Sequence, residues 1–378
     1  MSQVDISYNT ILNAIVSSGY TYETENRPGI KCHQIGSVNL ELSLEKLPLL
    51  TTKEMHWKSI VTELIWFMRG EGNIKYLLDR GVNIWNKDAY KFYHRTATKM
   101  GAKEIFELDE YIALAKEGTT LQIVGKLTKR QFPAGYVGAN YGVQWRDWHN
   151  PDEQYGCDQL KALFDNLSRP NPINRRHIVT AWNPAELSDT ALPPCHWSWE
   201  VIVQPLTYID RINFCHPGDQ EHLSNLWDEM AKGNEEAETK LKQSLSDIPK
   251  YSMTLKWHQR SVDTFLGLPF NIASYAVLAN FIGLCTEMVP THIVGDLSNV
   301  HIYGPHMDVA KEQIARNPTK YGGPDLTFSD RLLEDVQQYK KGKLSFNKLI
   351  QDLVPEDFIL ENYESYGKLK ADMFEETN

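Results

Sequence analysis

The 378-residue chain predicts an α+β protein, a sheet with helices packed on it, and three observations carry that prediction. Helix-spaced and strand-like segments interleave irregularly, not as repeated βαβ units. One uncharged stretch, residues 265–286, is long enough to cross a bilayer yet contains Pro269, Asn271, Ser274 and Asn280, so it reads as a buried core helix and its approach. No internal repeat or low-complexity run breaks the pattern.

Taken in order, Tyr8, Ile11, Leu12, Ile15 and Val16 recur at helical spacing, as do Trp57, Ile60, Val61, Leu64, Ile65 and Met68. His177–Ala181, Trp199–Leu206 and Met253–Trp257 read as strands, the last alternating Met253, Leu255 and Trp257 with polar neighbours. Asn271 to Cys285 is the central helix. Two highly charged regions, about 88–131 and 207–250, are expected to be surface insertions in a single catalytic domain spanning residues 1–378, because no Pro/Gly/Ser-rich linker separates them from the rest.

Acidic residues outnumber basic ones 49 to 39, a net charge of −10, in a composition that is 42% hydrophobic and therefore globular. The negative field repels polyanions, so neither nucleic acid nor an anionic membrane is expected as a partner, and an anionic substrate requires a local arginine cluster. The cysteines, Cys32, Cys157, Cys195, Cys215 and Cys285, are odd in number and lack CxxC spacing, which argues against a disulfide framework or a zinc ribbon. A reducing, cytoplasmic setting is the expectation, as MSQVDISYNT has no basic segment followed by an apolar one.

Four segments can carry chemistry. In ALPPCHWSWEV, Pro193 and Pro194 fix the approach to Cys195 just before a strand. The adjacent His196 does not make a dyad, because successive side chains on an extended segment face opposite ways. The pair also recurs at Cys32-His33 and Cys215-His216, and taken alone such a cysteine is more often a small buried side chain. WHQRSVDTFLGLPFNIASYA gathers Arg260, Ser261, Asp263 and Asn271 beside apolar residues. Buried polar groups left unpaired cost about 1–3 kcal/mol each, so this cluster implies a ligand or an internal network. In IVGDLSNVHIYGPHMD, His301 and Tyr303 share a face if the segment is extended. Adjacent Arg175 and Arg176 are, by themselves, an ordinary solvated pair.

Together these segments resemble the thymidylate synthase family. The resemblance rests on TTKEMHWKSIVTELIWFMRGEGNIKYL, GVNIW, NYGVQWRDW, RRHIVTAWNPAEL, ALPPCHW, QRSVDTFLGLPFNIASYA and GD…VHIY…HMD, in the family's order over most of residues 20–85, 138–203 and 253–315. It implies a thymidylate synthase-like fold, a mixed sheet packed with helices around the long buried helix, and a homodimer. It further implies dUMP as substrate, 5,10-methylenetetrahydrofolate as one-carbon donor and no metal. Cys195 would attack C6 of the pyrimidine as a thiolate, with Arg260 lowering the thiol pKa. Glu63, with Tyr141 and His196 beside it, would handle protons. Arg27, Arg260 and Ser261 would hold the phosphate, joined by Arg175 and Arg176 from the partner subunit. Asn271 would read the uracil edge, favouring dUMP over dCMP, and His301 and Tyr303 would hold the 3′-hydroxyl. Lys53, His56, Trp85, Asp263 and Gly267 would line the folate pocket, with Trp85 as a stacking surface and Asp263 also counted as catalytic.

Several positions depart from the family pattern: Glu200 stands for a glutamine, Asn86 for an aspartate, Gly304-Pro305 for a polar pair, GDLSNVHIY is longer than usual, and Glu375 to Asn378 follow Met373-Phe374. These departures lead to the expectation that closure over the folate is wetter, so that water captures the C5 methylene and the product is 5-hydroxymethyl-dUMP, as in the phage hydroxymethylase branch, with the host cytoplasm as its setting. The alternative is dTMP and dihydrofolate, and a further one is a non-catalytic nucleotide-binding protein.

Overall fold

The structure, a computed structural model, describes residues 2–23, 29–124, 129–149 and 156–371. It opens with helix α1 (Gln3–Ser18), then strands β1 (Tyr20–Glu23), β2 (Lys31–Gln34) and β3 (Ser37–Ser43). Helices α2 (Trp57–Arg69), α3 (Lys75–Leu78), α4 (Asn86–Met100) and α5 (Leu108–Glu117) follow, then β4 (Thr120–Val124), β5 (Lys129–Pro133), α6 (Tyr141–Arg146) and α7 (Gln159–Leu167). Next come β6 (Ile178–Thr180), β7 (His196–Pro205), α8 (Tyr208–Asn213), α9 (Pro217–Ala231), α10 (Glu235–Ser244), β8 (Tyr251–Gln259), β9 (Val262–Asp263) and α11 (Gly267–Thr286). The chain closes with β10 (Met288–Ser298), β11 (Val300–Tyr303), α12 (Met307–Ala315), β12 (Asp325–Phe328), α13 (Asp330–Lys340), α14 (Phe346–Asp352) and β13 (Phe358–Glu361).

A five-stranded sheet runs β3-β10-β8-β7-β6, parallel only between β10 and β8. Its inner face presents Trp199, Val201, Leu255, Trp257 and Ile293, all buried, and α11 lies on it against β8 and β10. Gly295 permits that layer, since a Cβ there would sit 2.5 Å from the Trp257 ring. The expected mixed sheet around a buried central helix is therefore present. Helix α11 has the length and hydropathy of a membrane span, but it is buried as the core of this fold. The outer face of the sheet is uncovered, leaving Ile178 52% and Ile202 42% exposed. A smaller sheet, β1-β2-β11-β9, sets His301 opposite Asp263.

Element limits differ from the sequence reading at their ends. Strand β7 starts at His196, ahead of the apolar run, with a register shift between His196 and Ser198. Helix α11 starts at Gly267 because the Asp263 carboxylate accepts the N–H groups of Phe265 and Leu266 just before it.

The two charged regions differ from expectation in one respect. The first, α4 to β5, is no mere surface elaboration: Ala89, Phe92, Tyr93, Ala97, Tyr111, Leu121, Ile123 and Phe132 are buried and continuous with the main core. The second, α8 to α10, has its own small core of Ile212, Leu223, Leu241 and Leu245.

Candidate active site

The loop before β7 delivers Cys195, and three neighbours clamp its backbone. The Tyr141 hydroxyl accepts the Cys195 N–H at 2.7 Å, while the Arg260 N–H donates to the Cys195 carbonyl at 2.8 Å. The Arg260 guanidinium donates to the carbonyls of Pro194 and Pro193 at 2.9 and 2.8 Å and lies over Trp182. The prolines thus act twice, by fixing φ and by offering carbonyls to the Arg260 guanidinium. Cys195 itself is half-buried.

His196 is buried and stacked on Tyr141, with ring centroids 4.1 Å apart, and its Nδ1 lies 2.8 Å from the Tyr275 hydroxyl. Burial pushes its pKa down to about 3, so the imidazole is neutral near pH 7. Tyr141 and Tyr275 are driven the other way by burial, well above the usual phenol value, and remain protonated donors.

Glu63, on the inward face of α2, accepts the Trp85 indole N–H at 2.6 Å. Desolvation raises this carboxyl to about 7, against a smaller lowering by that hydrogen bond. Trp85 is only 6% exposed and packs edge-on against Tyr141 and Trp66, so within this chain it orients Glu63 instead of offering an open face.

The smaller sheet and the start of α11 form the neighbouring wall. Gln259 donates to the Asn271 Oδ1 at 3.1 Å and to the Ser261 carbonyl at 3.1 Å. The buried rings of His301 and Tyr303 meet 4.9 Å apart on one face, as alternation requires. A Cβ on Gly267 would meet nothing nearer than Asp263 and Asn271, at 3.8 and 3.9 Å, so the floor between them is open. Buried Lys53 donates to the Phe265 carbonyl and lies 4.3 Å over its ring. Burial lowers this ammonium to about 7, partly offset by the Asp263 charge.

The loop carrying Lys53 is fastened from several directions. The wholly buried Asp5 carboxylate receives the N–H and hydroxyl groups of Thr51 and Thr52. From the far end of the chain, the Tyr363 hydroxyl donates to the Leu50 carbonyl, the Tyr366 N–H to the Thr51 carbonyl, and the Glu54 N–H reaches Gly367.

Most of the residues singled out in the sequence therefore converge, with three kinds of exception. His56 is exposed and caps α2, its Nδ1 taking the Ser59 N–H. Arg175 and Arg176 are exposed ahead of β6. Arg27 and the terminal residues Met373 to Asn378 lie outside the described residues. Gln259 and Tyr275 were not singled out, although both stand in the quoted QRSVDTFLGLPFNIASYA stretch or directly beside it; their signal was polarity inside an apolar segment. Among the described residues no group of three or more His, Cys, Asp or Glu is placed to hold a metal ion.

A clamped cysteine, a carboxyl titrating near neutrality and held by the Trp85 that packs on Tyr141, and a neutral imidazole between two protonated phenols have the chemistry needed for nucleophilic group transfer with proton handling. Comparison with known proteins agrees. The family model described as thymidylate synthase matches residues 6–375. The chain is 33% identical over 333 residues to a thymidylate synthase of Phytoplasma mali, covering 88% of this chain and 87% of that one. It is 29% identical to that of Mesoplasma florum, over 97% of this chain and 98% of the other. It is 30% identical to that of Staphylococcus haemolyticus, over 98% of each. The chain belongs to the thymidylate synthase family, whose members take 5,10-methylenetetrahydrofolate as cosubstrate.

Proposed function

We propose that this enzyme transfers a one-carbon unit to C5 of dUMP by covalent catalysis at Cys195 and reduces it, releasing dTMP and dihydrofolate. The observation that carries this reading is the Tyr141–Cys195–Arg260 clamp beside Glu63, in a chain so widely similar to proteins named thymidylate synthase. The folate, when bound, supplies the methylene and the hydride. Asp263, the open floor at Gly267 and the largely buried Lys53 suit it, as they offer an acceptor, room and a cation whose charge responds to its surroundings.

The residues divide the work as follows. Cys195 adds as thiolate to C6, which makes C5 nucleophilic, and leaves by elimination at the end. Glu63, near half-protonated at neutral pH, gives and takes protons around O4 and C5. His196, held neutral, orders donors instead of acting as an imidazolium acid. Because Gln259 donates to the Asn271 Oδ1, the Asn271 amino group is turned to face an acceptor, which suits the O4 of uracil and opposes the amino group of cytosine. Arg260, Ser261 and Arg27 take the phosphate, and His301 and Tyr303 the 3′-hydroxyl. Exposed Arg175 and Arg176 complete the phosphate site of a partner subunit, and the uncovered sheet face with Ile178 and Ile202 suits the contact between copies. We place the enzyme in the cytoplasm.

The hydroxymethylase reading loses support because the similar proteins are named thymidylate synthase, and two of the departures sit on the sheet and in a turn. Glu200 is on the outer sheet face, opposite Lys256 and 3.6 Å from His258. The extra residues of GDLSNVHIY form a turn at Asn299, which has φ 53° and ties Arg260 to Gln34 through its amide. What still favours water capture is the charged Glu375–Glu376 overhang. Mass spectrometry after incubation with dUMP and methylenetetrahydrofolate separates the two: dTMP with dihydrofolate is expected, and hydroxymethyl-dUMP with tetrahydrofolate would replace this reading by the other. Cys195→Ser should form neither product, and neither product from the parent protein would leave only nucleotide binding.

A further inference from the structure

The first insertion and the approach to Cys195 enclose a cleft of about 910 Å3 that shares no residue with the site described above. Arg95 and Lys99 stand one turn apart on α4 and share its face, Arg130 enters from β5, and Ser188 and Asp189 come from the loop leading to the nucleophile. Three cations thus meet one carboxylate in a chain of net charge −10. Against that overall charge the three side chains form a local positive patch, the feature an anionic ligand requires. The serine at 188 adds a hydroxyl donor. The volume falls in the ordinary range of small-molecule sites.

Arg95 connects the cleft to the catalytic loop. Its guanidinium lies 5.3 Å over the Phe92 ring and donates to the Thr190 carbonyl at 2.8 Å, leaving further N–H groups for a ligand. The next residue, Ala191, donates to the Val137 carbonyl at 2.8 Å. Gly138, at φ 80°, lies so close to Asp189 that a Cβ would sit 2.3 Å from its carbonyl. Tyr141, three residues on, holds the Cys195 N–H. A group that repositions Arg95 therefore acts on the segment that fixes the thiol.

We propose that this cleft binds a small oligoanion, a molecule carrying two or more phosphate or carboxylate groups, and that Arg95 transmits its occupancy to the Cys195 loop. Guanidinium forks match either group, and two arginines with a lysine suit a ligand of more than one charge. The binding half stands on the cleft alone and holds whichever product the enzyme makes.

The test titrates the full-length protein with inorganic tripolyphosphate and, separately, with citrate by calorimetry, and then follows iodoacetamide labelling of Cys195 by peptide mass spectrometry at saturation. Saturable binding is expected, weakened about tenfold or more in Lys99→Glu/Arg130→Glu. Both residues are exposed, so this variant keeps its fold, and an unchanged circular dichroism spectrum checks that. Labelling of Cys195 should change about fivefold on saturation in the parent and not in the variant. Tighter binding of tripolyphosphate assigns a phosphate ligand, and tighter binding of citrate a carboxylate one. Absence of saturable binding, or equal binding by the variant, overturns the site. Unchanged labelling at saturation overturns the link through Arg95.

Discussion

The two charged regions enter the fold in opposite ways, and the difference shows what ties such a segment to the main core. The region from α4 to β5 follows directly on Trp85, whose indole holds Glu63, and sinks Phe92, Tyr93, Tyr111 and Phe132 into the main core. The region from α8 to α10 leaves and rejoins the sheet at one point: Pro205 pairs with Tyr251, and the Leu206 N–H donates to the Lys250 carbonyl at 2.9 Å. Its small core touches none of the catalytic groups. Charge separates them too. Residues 88–131 carry eight basic and six acidic side chains, whereas residues 207–250 carry five and nine. Shared core, rather than surface charge, couples an insertion to the site.

Excision would break this comparison most directly. Replacing residues 207–250 by a short turn should leave a folded protein with its activity within about twofold, because the hairpin ends already meet. Excising residues 88–131 should leave no soluble folded enzyme, as it opens the main core. Equal tolerance of both excisions, read by solubility and turnover, would show the core continuity to be unimportant. Next in size, Phe132→Ala should cost about 3–5 kcal/mol of global stability in denaturant titration, since the ring is fully buried. Leu241→Ala should lose a similar amount only locally, seen as fast hydrogen exchange over α8 to α10 with the main transition unmoved.

Glu63→Gln sharpens the contrast through the site at the first insertion's doorstep. The folded carboxyl titrates near 7, above its unfolded value, so folding is favoured by protonation and weakened as pH rises through that range. The amide variant should therefore be more stable than the parent by about 3 kcal/mol at pH 8.5, with the gain fading as pH falls from about 7 to about 5, while kcat falls about a hundredfold. A constant stability difference from pH 5 to 8.5 would contradict the buried carboxyl. The smallest effect is expected from Asn234→Ala, which removes the cap on α10 made to the Glu236 and Ala237 N–H groups. About 1 kcal/mol should be lost, confined to exchange protection of that helix.

Much of this organisation was legible in the sequence, for identifiable reasons. Pro193-Pro194-Cys195 declared a fixed thiol because proline dihedrals are set locally. Residues 271–285 declared a core helix because no charge interrupts them. The first insertion was misread because KFYHRTATK looks solvated, although Ala89, Phe92, Tyr93 and Ala97 form a helix stripe among the charges. The start of β7 at His196 depends on a register shift, which strand alternation cannot announce. Trp85 was read as a stacking surface, whereas its indole N–H serves Glu63; which edge of a ring is used depends on a partner 22 residues away. Nothing in the spacing joins Arg95 to Thr190, a contact set by tertiary packing alone.

The fastening of the Lys53 loop by Tyr363, Tyr366 and Gly367 also sets an order in time. A chain emerging from the ribosome has made its nucleophile and its central helix long before it makes the residues that hold this loop. A chain that stops short of Tyr363 therefore carries the clamped Cys195 beside an unsecured Lys53 loop. Synthesis of Tyr363 to Gly367 is what turns one into the other.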